Sequence, residues 1–84
     1  MKVHLFPTVM HHTEAGIDVS FPDMPGAICF GFSEEDAYAT AVETLRTVLE
    51  NANETGEKMP VPSDVAKIVP ESEHHVVTLV HVII

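Results

Sequence analysis

Val19-Ser-Phe-Pro-Asp-Met-Pro-Gly26, followed by Ser33-Glu-Glu-Asp-Ala37, is the stretch that decides the fold of this chain. Apolar and polar residues alternate up to the first proline, which is typical of a strand with one buried face. Two prolines and a glycine then end that strand, because neither residue type continues a ladder easily. A further short strand, residues 27–32, leads into a serine followed by three acidic residues, a good helix start. The stretch therefore predicts strand, turn, strand and helix in immediate succession.

The helix is the clearest predicted element and covers residues 34–55. Ser33 is its N-cap, Asp36 gives a partial capping box, and Gly56 is a natural C-cap residue. Its apolar residues recur at spacings of three and four, which predicts one face packed on a sheet. They are Tyr38, Ala41, Val42, Leu45, Val48, Leu49 and Ala52.

Strands are predicted at both ends of the chain. Residues 2–10 and 17–21 alternate with period two, and the short loop between them predicts an antiparallel pair. Pro7 cannot donate a ladder hydrogen bond, so an edge or an irregularity is expected near it. Residues 75–84 are almost continuously apolar, as in strands that are buried on both faces or at an oligomer interface.

The predicted order is β-β-β-α-β, an α+β domain over residues 1–84 with one four-stranded sheet and one helix on one face. A right-handed crossover would place the last strand parallel to the first. No further element is left to cover the other face, so a homodimer or higher oligomer is expected. The predicted interface residues are Val76, Thr78, Val80 and Val82.

Charge limits the classes of partner. Thirteen Asp and Glu stand against four Lys and Arg, a net charge of −9. Residues 33–64 hold eight acidic and two basic residues, a net of −6. Such a chain repels phosphates, so direct nucleic-acid binding is not expected. The negative charge is compatible with a basic protein partner. It is equally compatible with an acidic surface that only keeps the protein soluble.

No constellation predicts catalysis, a metal or a cofactor. The six histidines match no zinc motif, and neighbouring histidines on a strand point to opposite faces. A two-metal nuclease needs clustered carboxylates, but the first strand has none and the second offers only Asp18. Cys29 lies in an apolar strand, where a thiol is usually an inert core group. The histidines are His4, His11, His12, His74, His75 and His81.

The chain resembles the HicB family of bacterial antitoxins over roughly residues 17–64. The pattern is carried by Ser20-Phe-Pro-Asp-Met-Pro-Gly26, then Gly31, Ser33, Glu35-Asp-Ala37 and Pro60-Val-Pro-Ser63, in the family's order and spacing. Two departures stand out: Phe32 replaces the usual polar residue, and the C-terminal DNA-binding domain of longer members is not expected here. The resemblance implies a partial ribonuclease-H-like sheet.

The resemblance also implies a function without catalysis. An antitoxin of this family binds a small basic ribonuclease toxin in the cytoplasm and occludes its catalytic surface. The predicted contacts are Asp23 on the turn and Glu35, Glu43 and Glu50 on the helix. The alternative is an orphan HicB-like binding domain, perhaps RNA-associated, that has no toxin partner. A small basic protein encoded beside the chain would favour the antitoxin. No apolar run reaches the ~18 residues of a membrane span.

Overall fold

One antiparallel sheet carries a single long helix. The structure, a computed structural model, describes residues 2–84. The strands follow the order β3-β2-β1-β4 and every neighbouring pair is antiparallel. The predicted α+β class and the β-β-β-α-β order are confirmed. The elements are β1 (Val3–His12), β2 (Ile17–Ser20), β3 (Ile28–Gly31), α1 (Glu34–Thr55), a 3₁₀ turn (Val65–Lys67) and β4 (His75–Ile83).

β4 runs antiparallel to β1, so the predicted parallel crossover is wrong. Val3 pairs with Ile83 at one end of the ladder, and His11 pairs with His75 at the other. The prediction let the helix return the chain to the starting end of β1 and gave the residues after it no further reversal. Instead, residues 56–74, called here the connecting segment, return along the sheet, so that β4 starts beside the last residues of β1.

Both ends of α1 are capped as its sequence predicts. The Ser33 hydroxyl accepts a hydrogen bond from the Asp36 amide at 3.1 Å. The Asp36 carboxylate in turn accepts from the Phe32 amide at 2.9 Å, one residue before the usual capping-box donor. Gly56 ends the helix in the left-handed conformation, with φ +74°. These caps satisfy amides and carbonyls that a helix leaves free at its termini.

The core lies between α1 and the helix-facing side of the sheet. Phe21 and Met24, which flank Pro22 and Asp23 in the turn after β2, are also buried, so this turn is anchored by its apolar side chains. The small alanines of α1 let its backbone lie close to the sheet, and the two leucines fill the space further along. The buried residues of α1 are Ala37, Ala41, Leu45, Leu49 and Ala52, and those of the strands include Phe6, Met10, Ile17, Val19, Val80 and Val82.

Pro7 is tolerated in the long strand β1 because its backbone nitrogen points to the side on which β1 has no neighbouring strand at that position. Lys2 and Ile84 exchange backbone hydrogen bonds at 2.6 and 3.0 Å, so even-numbered β1 residues bond to β4 and odd-numbered ones point the other way. On that side β2 ends at Ser20, opposite Val9. No partner therefore needs the N–H that proline lacks. Pro7 lies where β1 has a free edge on its β2 side, which is the first of the two expected alternatives, and the β1–β4 register is unbroken there.

The side of the sheet away from α1 is called here the open face. Residues 68–71 of the connecting segment form a groove with Val9, Ser20, Pro22 and His75, so one end of this face is partly covered. The expectation that nothing covers it is therefore wrong for that end. At the other end, where only β1 and β4 continue, apolar side chains remain exposed. They are Val3, Leu5, Leu79 and Ile83.

Residues 2–84 contain no helix whose length and apolar character would let it cross a bilayer.

Candidate partner-binding surface

The outer side of α1 presents a row of carboxylates. Glu43 and Glu50 are seven residues apart, so they lie about 20° from one another around the helix axis. Glu54 follows one turn later, and all three side chains are exposed. They are called here the acidic face of α1. They lie opposite the buried stripe because that stripe, centred on Leu45, is held against the sheet.

Glu35 belongs to the same exposed half of the helix but not to the same row. It lies about 80° from Glu43 around the axis, close to the helix N-terminus. A carboxylate there is favoured by the helix dipole, whose positive end it faces. Glu54 was missed from the sequence, although its spacing of four from Glu50 is visible there.

Within residues 2–84 no lysine or arginine forms an ion pair with these carboxylates, although Lys2 and Arg46 line one depression with Glu50 and Glu54. The two ion pairs within the described residues join His12 to Glu34 and His74 to Glu73. Arg46 is the one basic residue of α1, and its guanidinium donates to the Ile83 carbonyl at 3.3 Å, at the edge of the sheet. The three carboxylates of the acidic face are therefore exposed and held in no ion pair among the described residues.

Asp23 contacts another part of the chain, and its predicted contact with a partner stays a prediction. Its carboxylate accepts hydrogen bonds from the Ser63 amide, at 2.9 Å, and from the Ser63 hydroxyl. The two residues are forty positions apart, so this contact ties the connecting segment to the turn after β2. Both oxygens of the Asp23 carboxylate thus accept hydrogen bonds within the chain.

Asp23→Ala is expected to lower the free energy of unfolding by about 1 kcal/mol, since two partly exposed hydrogen bonds are lost. Ser63→Ala removes one of them, and the double variant should be no less stable than Asp23→Ala. Urea denaturation of the three variants measures this coupling. Additive effects of the two substitutions would contradict a direct contact between them.

Two of the four predicted oligomer-interface side chains, Val80 and Val82, are buried within the chain, whereas Val76 is exposed and Thr78 half-buried, so an interface there stays a prediction. Val80 and Val82 are fully buried beneath α1, and Val76 and Thr78 alternate with them toward the same side. The continuous apolar run of β4 contains two alternating sets of residues, because successive side chains of a strand point to opposite faces of the sheet. The set that faces away from α1 is the odd-numbered one, which includes Leu79.

The histidines are spread over both faces. His11 and His75 stack across the β1–β4 ladder with their ring centroids 4.2 Å apart, and Asp18 pairs with His11 from β2. His12 lies 3.3 Å from Glu34 on the helix side. Within residues 2–84 no three His, Cys, Asp or Glu side chains are placed to hold one metal ion.

Cys29 faces the helix at the edge of the core. Burial raises the pKa of its thiol, and a hydrogen bond with the Thr44 side chain opposes that rise. The thiol therefore stays protonated at neutral pH, which is the unreactive form. This agrees with the interpretation of Cys29 as a packing residue.

Known proteins share both the sequence pattern and the fold. Residues 6–84 match the model of a family described as the HicB-like antitoxin of bacterial toxin-antitoxin systems. Two curated relatives from Photorhabdus laumondii subsp. laumondii, Antitoxin HicB 1 and Antitoxin HicB 2, are 41% and 36% identical over 54 and 58 residues. These matches cover 64% and 69% of this chain but only 35% and 42% of the relatives, so the chain spans well under half of their length.

Solved structures show the same architecture. A toxin–antitoxin complex from Streptococcus pneumoniae contains a chain with TM-score 0.84 and 20% identity, over 95% of this chain and 69% of that one. A chain of the HicA3 and HicB3 toxin–antitoxin complex gives 0.74 and 23%, over 92% and 95%. The N-terminal domain of the Burkholderia pseudomallei antitoxin HicB gives 0.72 and 26%, over 96% and 98%. With the family model matching nearly all of its length, this chain belongs to the HicB-like antitoxin family of bacterial toxin-antitoxin systems.

Proposed function

We propose that this chain neutralises a small basic ribonuclease toxin by binding it through the acidic face of α1 and covering its catalytic surface. The observation that carries the proposal is the exposed row of Glu43, Glu50 and Glu54, which forms no ion pair with a lysine or arginine of the described chain. Membership of an antitoxin family supplies the class of partner.

Charge gives this surface a physical role in recognition. The net charge of −9 attracts a basic protein over several ångströms and speeds their encounter. Charges at the rim of an interface act mainly on the association rate and on partner choice. A toxin that cuts RNA needs a basic surface of its own to hold phosphates, so the same surface is complementary to α1.

Inhibition by occlusion requires no chemistry from the antitoxin. α1 is capped at both ends, and its buried leucines pack it against the sheet. The acidic face is therefore presented on a rigid element. The chain acts here as a binding protein rather than an enzyme. The structural neighbours support this use of the fold, since two of them come from toxin–antitoxin complexes.

The double variant Glu43→Lys/Glu50→Lys tests the proposal, with the small basic protein encoded beside this chain as the binding partner. Each substitution changes the charge by +2, so the net charge goes from −9 to −5. Binding measured by titration calorimetry is expected to weaken by roughly 100-fold, because like charges then face one another across the interface. In an RNA-cleavage assay the variant should no longer protect the substrate, whereas the parent chain protects it.

Glu14→Lys/Glu71→Lys is the matched control, because both side chains are exposed, lie off the helix and give the same net charge of −5. Its affinity is expected to fall by less than about threefold at physiological salt, where distant charges are screened. Equal losses in both variants would show that net charge alone matters. A parent chain that binds no such protein would instead identify an orphan binding domain.

A further inference from the structure

Two histidine side chains from near opposite ends of the chain lie side by side on the open face. β1 and β4 pair so that His11 is opposite His75, and the two rings stack with centroids 4.2 Å apart and planes 8° apart. Lys2 exchanges backbone hydrogen bonds with Ile84, so odd-numbered β1 residues form the non-hydrogen-bonded pairs of this ladder. Side chains approach most closely in such pairs. Strand register, rather than spacing along the sequence, therefore creates a pair of imidazoles.

A neighbouring hydroxyl can orient one of the two rings. The Ser72 Oγ atom lies 2.8 Å from Nδ1 of His75, in the turn that enters β4. When this oxygen accepts a hydrogen bond from Nδ1–H, the neutral ring carries its lone pair on Nε2. A second group of this kind commonly fixes the tautomer and the orientation of a histidine that binds a metal. His75 can thus offer Nε2 as a ligand without losing its contact with Ser72.

Both rings line the same depression of the open face, together with Asp18 of β2. Asp18 is exposed and pairs with His11 on the side away from β4. It is two strands from His75, about 10 Å in strand spacing, so it adds negative charge beside the rings rather than a ligand shared with His75. The net charge of −9 also draws cations toward the surface. The depression is therefore open to solvent, locally acidic and lined by two imidazoles.

We propose that His11 and His75 together bind one divalent transition-metal ion, such as Ni²⁺, Cu²⁺ or Zn²⁺, with water molecules in the remaining coordination positions. Imidazole nitrogen suits these ions, whereas Mg²⁺ and Ca²⁺ prefer oxygen ligands. An ion that binds both rings at about 2.1 Å brings their ligating nitrogens to about 3 Å from one another. The stacked rings reach this arrangement by tilting about χ2, a torsion with broad preferences in histidine.

The contacts of other histidines set this pair apart. Each of three others lies beside a carboxylate or a phenol instead of a second imidazole. These contacts join His12 to Glu34, His74 to Glu73 and His81 to Tyr38. For the ions named above, a second imidazole is the better second ligand. A metal held by both rings joins the last part of β1 to the start of β4. The site is on the open face, so it does not depend on the proposed toxin binding by α1.

Titration calorimetry with nickel chloride tests the proposal, with the 84-residue chain free of any histidine tag and in a buffer that does not coordinate metals. The parent chain is expected to bind one Ni²⁺ ion and to give no heat of binding with magnesium chloride. His11→Ala and His75→Ala each leave a single imidazole, and each should weaken nickel binding by at least about 10-fold. The double variant should bind no more weakly than the weaker single variant, because the two rings act as one site.

His4→Ala is the matched control, because His4 lies on the same strand but on the other side of the sheet. Its nickel affinity is expected to stay within about twofold of the parent's, since distant sites act independently. Thermal unfolding gives a second readout: nickel should raise the melting temperature of the parent and of His4→Ala, but not of His11→Ala. The same melts without metal show that each variant is folded.

Three results would overturn the proposal. A parent chain that binds no nickel at millimolar concentration excludes the site. Nickel binding that His11→Ala and His75→Ala leave unchanged places the ion elsewhere. Binding that His4→Ala weakens as much as His11→Ala does shows association with scattered histidines rather than with this pair.

Discussion

Gly31→Ala is expected to destabilise the fold by about 3 kcal/mol or more, because β3 and α1 touch at this glycine through their backbones. A Cβ atom at Gly31 would lie 2.3 Å from the Ala37 amide nitrogen, 2.4 Å from its Cα and 2.7 Å from its Cβ. None of these atoms can rotate away, since Ala37 is fully buried in the first turns of α1. Either the helix start lifts from the sheet or β3 leaves its register with β2.

Thermal unfolding followed by circular dichroism measures this effect. For a domain of this size a loss of about 3 kcal/mol lowers the melting temperature by roughly 12–24 °C. Gly26→Ala is the matched control: Gly26 has φ +95°, but no atom lies within 4 Å of the added methyl group. It is expected to cost only about 1–2 kcal/mol of backbone strain. A Gly31→Ala chain as stable as the control would contradict the close approach of helix and sheet.

Leu45→Ala is expected to lower the free energy of unfolding by about 2–4 kcal/mol. Leu45 is fully buried at the middle of α1 and packs against the same side of the sheet as Phe6 and Val80. Shortening it removes apolar contacts and leaves a cavity that the surrounding side chains fill only in part. Because a domain of this length has only about 4–12 kcal/mol of stability in total, the loss is a large share of it.

Urea denaturation measures the change, and the dependence on urea should keep its slope if the variant unfolds in the same two-state manner. Thr47→Ala is the control on the exposed side of the same helix, where a change within about 0.5 kcal/mol is expected. Alanine is the best helix former, so neither substitution lowers helix propensity. A loss of comparable size at Thr47 would contradict burial beneath the helix as the cause of the effect at Leu45.

Local signals in the sequence predicted the elements that local interactions define. α1 begins after Ser33 and ends before Gly56, as predicted. These ends were predictable because capping depends on residues only a few places apart. The stripe through Leu45 likewise follows from helical period alone. The direction of β4 depends instead on the path of residues 56–74, whose sequence shows no regular hydrophobic periodicity. Its pairing with β1 joins the two ends of the chain, and no short-range pattern encodes it.

The candidate surface likewise contains side chains whose placement follows from local sequence patterns and side chains whose placement does not. The exposure of Glu43 and Glu50 follows from the position of the buried stripe, so it was predictable. The engagement of Asp23 by Ser63 was not, since the contact spans forty residues and depends on how the connecting segment folds back. The burial of Val80 and Val82 beneath α1 was not predictable either, because a continuous apolar strand gives no sign of which alternate set faces the helix.

The pairing of β1 with β4 makes completion of the sheet wait for residues 75–83. β1, β2, β3 and α1 are complete by residue 55, and their contacts are local enough to form early. The longest ladder of the sheet, however, joins Val3 to Ile83 and is absent until the last strand has been synthesised. Until then the backbone groups of His4, Phe6 and Thr8 that face β4 have no partner, and Phe6 lacks much of its cover. A nascent chain on the ribosome therefore carries an unpaired edge on β1 from its first residues until β4 has left the ribosome and can pair with it.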